Sequence, residues 1–363
     1  MIRIDEIYNN TFWPWLEKNK PGTRLFFCDP PGSTSPDSLF NLGSDNITET
    51  DYVWMHDQEP CWIDEYKLLF DEVRYRNTGL WDDTVLYRRG WTAPVKPNIF
   101  GHVVVSEKGE YVEQLCEKYG WKSHYYFYHG WACQDWFRGY DKSFLIPRAR
   151  DRNPAKTFMS PNRIVGGRRD HRVLFLYNVF KQQLQHNHIS APRICQYENV
   201  DISTIANKYC NTYPDISQVF EQATLPRLFA GEESQQMTSC WLTNFAEAQD
   251  SLVYVPTETL YFGRRTHITE KTFKAIALEM PFVLVAPAHS LEYMRSYGFK
   301  TFDSVFDESY DTETDDILRV EKVTQLLKDL DNLSNKERQE IHRACLPIVE
   351  HNFRHFYRGG FSH

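Results

Sequence analysis

Apolar and polar positions fall into alternating blocks along this chain, and the blocks predict strands that lead into helices. Residues 24–28 (RLFFC) and 52–56 (YVWMH) are short apolar runs that predict strands, and 98–106 (NIFGHVVVS) is a longer one. Residues 64–75 place Tyr66, Leu69, Phe70 and Val73 on one helical face. Residues 107–119 do the same with Tyr111, Leu115 and Tyr119, and Gly120 stands as the stop. A further strand is predicted at 124–128 (HYYFY), followed by an aromatic-rich segment. Strand, helix and strand in alternation argue for a parallel sheet.

The second half repeats the pattern. A polar, basic, proline-flanked stretch at 147–161 reads as a linker that includes or precedes a strand at 156–160. A Gly-Gly loop follows at 162–170 (NRIVGGRRD). It leads into a predicted helix at 171–185 with Val173, Leu176, Tyr177, Phe180 and Leu184 on its apolar face. Residues 191–196 predict a strand, 200–238 mix short helices and turns, and 239–246 fit either strand or helix. Residues 252–302 then read as strand, loop, helix, strand, helix and short strand, with the apolar run 282–286 directly after the first helix. Helices at 320–330, 336–344 and 347–357 close the pattern. The expected organisation is an N-terminal lobe over 1–150, a C-terminal lobe over 151–340, and a terminal helix over 341–363 positioned to pack back on the first lobe.

Composition narrows this. With 363 residues, 41% hydrophobic and 15% aromatic, the chain can build two ordinary cores. A net charge of −8 argues against a general polyanion binder. The charge is uneven, with ten Lys/Arg against three Asp/Glu over 138–172 and ten Asp/Glu against three Lys/Arg over 303–331. That asymmetry points to a local anion site. Eight scattered cysteines without a CxxC pair read as reduced core thiols of a cytoplasmic protein. The start MIRIDEIYNNTFW does not read as a signal peptide, and no apolar run is long enough to span a membrane.

Three constellations carry candidate chemistry. In the first, Thr269 is placed to cap a helix whose first turn holds Glu270 and Lys271. A helix start favours phosphate, a lysine adds a point charge for a diphosphate, and a carboxylate can accept two ribose hydroxyls. His267, Arg264 and Arg265 share the preceding loop, and Glu258 lies within reach of a bound sugar. The plainer reading is a capped amphipathic helix with Phe273, Ile276, Ala277 and Met280 in the core. The second is the Gly166-Gly167-Arg168-Arg169 loop with Arg163, where backbone and guanidinium groups can approach the same anion. The third is His56-Asp57-Gln58-Glu59-Pro60 at a strand's carboxyl end. Asp57 and Glu59, with His56 as alternative, are the candidates for a general base that takes a proton from an acceptor hydroxyl. No metal site is expected: Asp329-Leu330-Asp331 reads as the solvated end of a helix, and His186 and His188 as a helix-end pair.

The run Ile268-Thr269-Glu270-Lys271, a helix, then Met280-Pro281-Phe282-Val283 and a strand resembles the C-terminal signature of the family-10 fucosyltransferases. It departs from that pattern where the family has Gly before the turn and this chain has Glu279-Met280. The wider region, with the His56–Pro60 step, is similar to glycosyltransferases encoded by large tailed bacteriophages. The resemblance implies an α/β fold of GT-B type, two Rossmann-like lobes with a cleft between them, and a metal-independent hexosyl- or pentosyltransferase. It implies a nucleoside diphosphate sugar as co-substrate with no other cofactor, Glu270 on the ribose, Lys271 on the diphosphate and an arginine among Arg163, Arg168 and Arg169 in support. Hydroxymethylcytosine in phage DNA is the acceptor it brings to mind, in the host cytoplasm and away from membranes. A saccharide acceptor, or a nucleotide- or glycan-binding protein without turnover, are the alternatives.

Overall fold

The computed structural model describes residues 24–27, 52–56, 60, 100–125, 127–137, 149–195, 199–229, 232 and 241–358. The chain divides into two compact units, Ile2–Asp135 and Trp136–His363. The fold is α/β with parallel sheets in both.

In the first unit, β1 (Arg24–Phe27), β2 (Tyr52–His56), β3 (Phe100–Val105) and β4 (Lys122–Tyr125) form one sheet in that order, every pairing parallel. Helix α1 (Glu110–Tyr119) joins β3 to β4. Gly120, at φ 72°, ends it, and Trp121 returns its N–H to the Cys116 carbonyl at 2.8 Å. The strand expected at 124–128 ends earlier. Helix α2 (Tyr128–Trp136) takes up the aromatic segment because its residues Tyr128, Ala132 and Cys133 all find burial on helical spacing. Gly130 is required there, since a Cβ would meet the Phe127 ring at 2.5 Å.

In the second unit, β5 (Lys156–Ser160) is central. It pairs in parallel with β6 (His188–Ile189) on one side and β7 (Ser251–Tyr254) on the other. Residues 281–285 run parallel outside β7, with Val283 N donating to the Tyr254 carbonyl at 3.0 Å and Val285 N to the Pro256 carbonyl at 3.0 Å. The chain therefore steps from β5 to β6 on one side and returns to β7 on the other. Helix α3 (His171–Lys181) follows β5, α4 (Phe245–Asp250) runs straight into β7, and α5 (Glu270–Ala277) follows it. Helices α6 (Ser290–Ser296), α7 (Asp316–Asp331) and α8 (Asn335–Tyr357) follow, and two short helices, Ile202–Ala206 and Ile216–Gln222, lie between β6 and α4. Phe158, Val253, Val255, Phe273, Phe282, Val283 and Val323 are fully buried between these layers.

Several expectations need correction. The stretch expected as a linker is bound into the second unit: Ala149 donates its N–H to Glu279 at 3.3 Å, and the buried Arg152 guanidinium donates to the Leu278 and Ala248 carbonyls. The two helices expected around Pro347 are one, α8. A proline removes one helical N–H but does not end a helix held on both sides of it. Cys345, Val349, Phe353 and Phe356 bury one face, and a capping box of Ser334 and Glu337 starts the helix. The helix lies within the second unit. Asp331, expected to be solvated, anchors the amino end of β5 through Thr157 at 2.7 Å, Asn187 at 3.1 Å and His186 at 3.0 Å. His188 pairs with Asp250 instead, at 2.9 Å. The expected glycine position is instructive. Glu279 has φ 54°, the left-handed conformation that glycine adopts most easily, and its carboxylate bond to Ala149 offsets that strain.

Asn352 of α8 closes a two-way bond on the backbone of Lys300, accepting its N–H at 2.8 Å and donating to its carbonyl at 2.8 Å. Replacing it with alanine strands both groups. Asn352→Ala is expected to lower the unfolding free energy by about 2 kcal/mol, read from urea denaturation.

Candidate functional site

The carboxyl ends of the second sheet's strands lie along one edge, and the order of strands reverses at β5. Ligands of open α/β sheets bind outside such an edge. Here a line of buried polar groups crosses it. Ser190, directly after β6, accepts the Asn162 N–H at 2.8 Å. Asn162, directly after β5, accepts the Thr257 hydroxyl at 2.8 Å. Thr257 begins the loop after β7. All three residues are at most 1% exposed.

Two buried side chains at the start of α3 lock the two loops together. Arg172 donates to the Ile164 carbonyl at 2.7 Å and to the Thr257 carbonyl at 2.9 Å. His171 Nε2 donates to the Glu258 carbonyl at 3.0 Å, and its ring stacks on Tyr261 at 5.0 Å. The buried Arg319 lies over the other side of Tyr261 at 4.3 Å and donates to the Tyr261, Ala286 and Glu313 carbonyls. Arg172 was counted with the basic run, but its charge is spent inside the protein. The Gly-Gly-Arg loop and the Thr-Glu-Lys step are thus stitched to the carboxyl ends of adjacent strands. Gly167, at φ 66°, opens a single 3-10 turn that carries Arg168 and Arg169, both half-buried. Arg163 is half-buried and Arg264 exposed in the same two loops.

At α5 the side chain of Thr269 caps the helix, as its position in the sequence implies. Glu258 does more than that. It is fully buried, and its Oε1 accepts the Thr269 N–H at 3.1 Å and the Thr272 hydroxyl at 2.6 Å, while Oε2 accepts the Thr269 hydroxyl at 2.5 Å. That proton being committed, Thr269 can only accept towards Lys271, whose Nζ lies 3.0 Å away. The ammonium also donates to Thr259 at 3.1 Å and to Glu270 at 2.9 Å. Its three N–H groups are matched to three acceptors, so a further acceptor could join only by replacing one of them. Glu258 faces the helix start from inside, which gives it a positioning task in place of the sugar contact expected of it. His267 is buried in the same turn.

Asp57 and Glu59 lie outside the described residues. The edge that they follow is described, however. His56, Val105 and Tyr125 stand in register across β2, β3 and β4. The buried Glu107 follows β3, and the buried His129 follows β4. Neither was legible as a candidate from the sequence: Glu107 sits in an ordinary polar context, and His129 lies in an aromatic run that reads as core. Among the described residues no group of three His, Cys, Asp or Glu is arranged to hold a metal ion. Among the described residues, too, no helix is long and apolar enough to cross a membrane. Cys133, Cys195 and Cys345 are buried free thiols, and burial raises the last to about 12.

No protein-family model matches this chain, and no curated protein matches it.

Two measurements check this geometry. Glu258→Ala leaves three buried donors without an acceptor and is expected to cost about 3 kcal/mol in urea denaturation. Glu258→Gln keeps one acceptor oxygen and should cost less than half as much. His171 is held well below its ordinary 6.5, first by burial and then by the Arg172 charge. Below pH 6.5 the unfolded chain therefore binds a proton that the folded chain refuses, and stability falls as pH drops. The expected slope from this group is about 1.4 kcal/mol per pH unit, and His171→Gln should flatten the pH dependence by that amount.

Proposed function

We propose that this chain is a metal-independent glycosyltransferase that moves a hexosyl or pentosyl group from a nucleoside diphosphate sugar to a hydroxyl acceptor. The observation that carries the reading is the joining of two cation-bearing loops, 162–169 and 257–271, at the point where the parallel strand order reverses. An anion-rich donor suits that edge, and the resemblance of 268–283 to the family-10 fucosyltransferases names a donor of this class. The two parallel-sheet units correspond in this reading to the two lobes of the GT-B architecture, and the protein works in the cytoplasm, that of the host if a phage encodes it.

The chemistry follows from the residues. A carboxylate takes the acceptor's hydroxyl proton, with Asp57 and Glu59 as the candidates and Glu107 at the same sheet edge. The acceptor oxygen forms its bond to the anomeric carbon. The bond from that carbon to the diphosphate breaks, and its electron pair leaves with the diphosphate. Lys271 and the arginines of the two loops stabilise the leaving charge. The first acceptor to test is hydroxymethylcytosine in DNA.

The protein is expected to hydrolyse one member of a panel of nucleotide sugars slowly to nucleoside diphosphate and free sugar. Lys271→Met should weaken binding of that diphosphate roughly tenfold or more, the worth of one charged hydrogen bond. Asp57→Asn or Glu59→Gln should remove transfer and leave donor binding intact. Tight nucleotide binding without turnover would favour a binding protein instead, and no nucleotide binding at all would sink both readings. Salt-sensitive binding to hydroxymethylated duplex is expected at about 50 mM salt, where phosphate contacts dominate; its absence removes DNA as acceptor.

A further inference from the structure

Two buried carboxylates stand at the edge of the second sheet, and they are not equivalent. Glu258 is sealed at 0% exposure with both oxygens spent on α5, whereas Glu232 keeps 7% and lies at the opposite end of the polar line, by β6. Glu232 Oε1 accepts the Ser190 hydroxyl at 3.3 Å, and Oε2 accepts the Phe229 N–H at 2.9 Å. Ser190 is itself tied to Asn162 at the end of β5. A carboxylate oxygen offers two lone-pair directions, so each oxygen of Glu232 retains acceptor capacity beyond these bonds. Adjacent acceptors on one rigidly held carboxylate match the two hydroxyls of a vicinal diol.

Position points the same way. Where a parallel sheet holds a nucleotide at its switch point, an acidic side chain about a strand and a helix beyond the first loop receives the ribose. In this chain the residues directly after β6 are Ser190 and Ala191, which cannot do so. Glu232 reaches the same place from a distant turn, with Ser190 as its brace. Burial pushes its carboxyl up, and the Phe229 and Ser190 bonds and the nearby Arg163 charge draw it back. Glu270, another acid at this edge, already holds Lys271 at 2.9 Å, which sets it beside the cation proposed for the diphosphate.

We propose that Glu232, braced by Ser190, is the ribose subsite of the nucleotide site, its carboxylate accepting the 2′- and 3′-hydroxyls. This rests on the nucleotide-sugar reading above. The test is calorimetric binding of GDP, UDP, their 2′-deoxy counterparts and inorganic diphosphate to the wild type, Glu232→Gln and Glu270→Gln. The wild type is expected to prefer the ribonucleotide about tenfold or more, the worth of a hydroxyl bonded to a charged group. Glu232→Gln should lose that preference and bind inorganic diphosphate as before, while Glu270→Gln keeps the preference. A preference that survives in Glu232→Gln, or vanishes in Glu270→Gln, overturns the proposal. Loss of inorganic diphosphate binding in Glu232→Gln overturns it too, since it would mean that Glu232 only holds Phe229 and Ser190 in place. Failure of the wild type to bind any nucleotide sinks the transferase reading along with it.

Discussion

A buried carboxylate without a cationic partner is one of the costlier groups a protein can hold, and Glu258 is tolerable only because three donors converge on it. Those donors come from Thr269 and Thr272. The requirement to satisfy Glu258 therefore fixes where α5 begins and how it is rotated. It also fixes the direction of the Thr269 hydroxyl, and with it the place of the Lys271 ammonium. One buried carboxylate sets the geometry of the Lys271 ammonium.

The same economy governs the loop that carries Glu258. Its carbonyl and that of Thr257 receive His171 and Arg172 from α3, so the start of one helix depends on the backbone of the next crossover. Tyr261 lies between His171 and Arg319, and Arg319 reaches back to the carbonyl of Ala286 beyond the last parallel segment. Few of these contacts are local in sequence. They form only once both crossovers of the second unit are in place, which makes the edge a cooperative product of the whole unit.

What was legible in the sequence was what depends on neighbours along the chain. The β5 strand, the Gly120 stop, the Thr269 cap and the apolar run at 282–285 all announce themselves through local spacing. What was not legible depends on partners far away. Arg172 looks like one more member of a basic loop until the carbonyls of 164 and 257 are brought to it. Pro347 looks like a helix end until the buried face on both sides holds the helix through it. Glu232 sits in a stretch without periodicity, and only the bond to Ser190 places it at the end of β6. Glu258 was visible as a candidate, but its depth was not.

Two buried cations, Arg172 and Arg319, and the neutral imidazole of His171 share one habit at this edge: they address main-chain carbonyls. A carbonyl is present whatever side chain the residue carries. The frame of the loops is thereby uncoupled from the identity of most residues that line them. Exchanges at Ile164 or Ala286 would leave the accepting carbonyls in place, so the frame does not depend on which side chains those positions carry. Such a division separates what holds the loops in place from what the loops display.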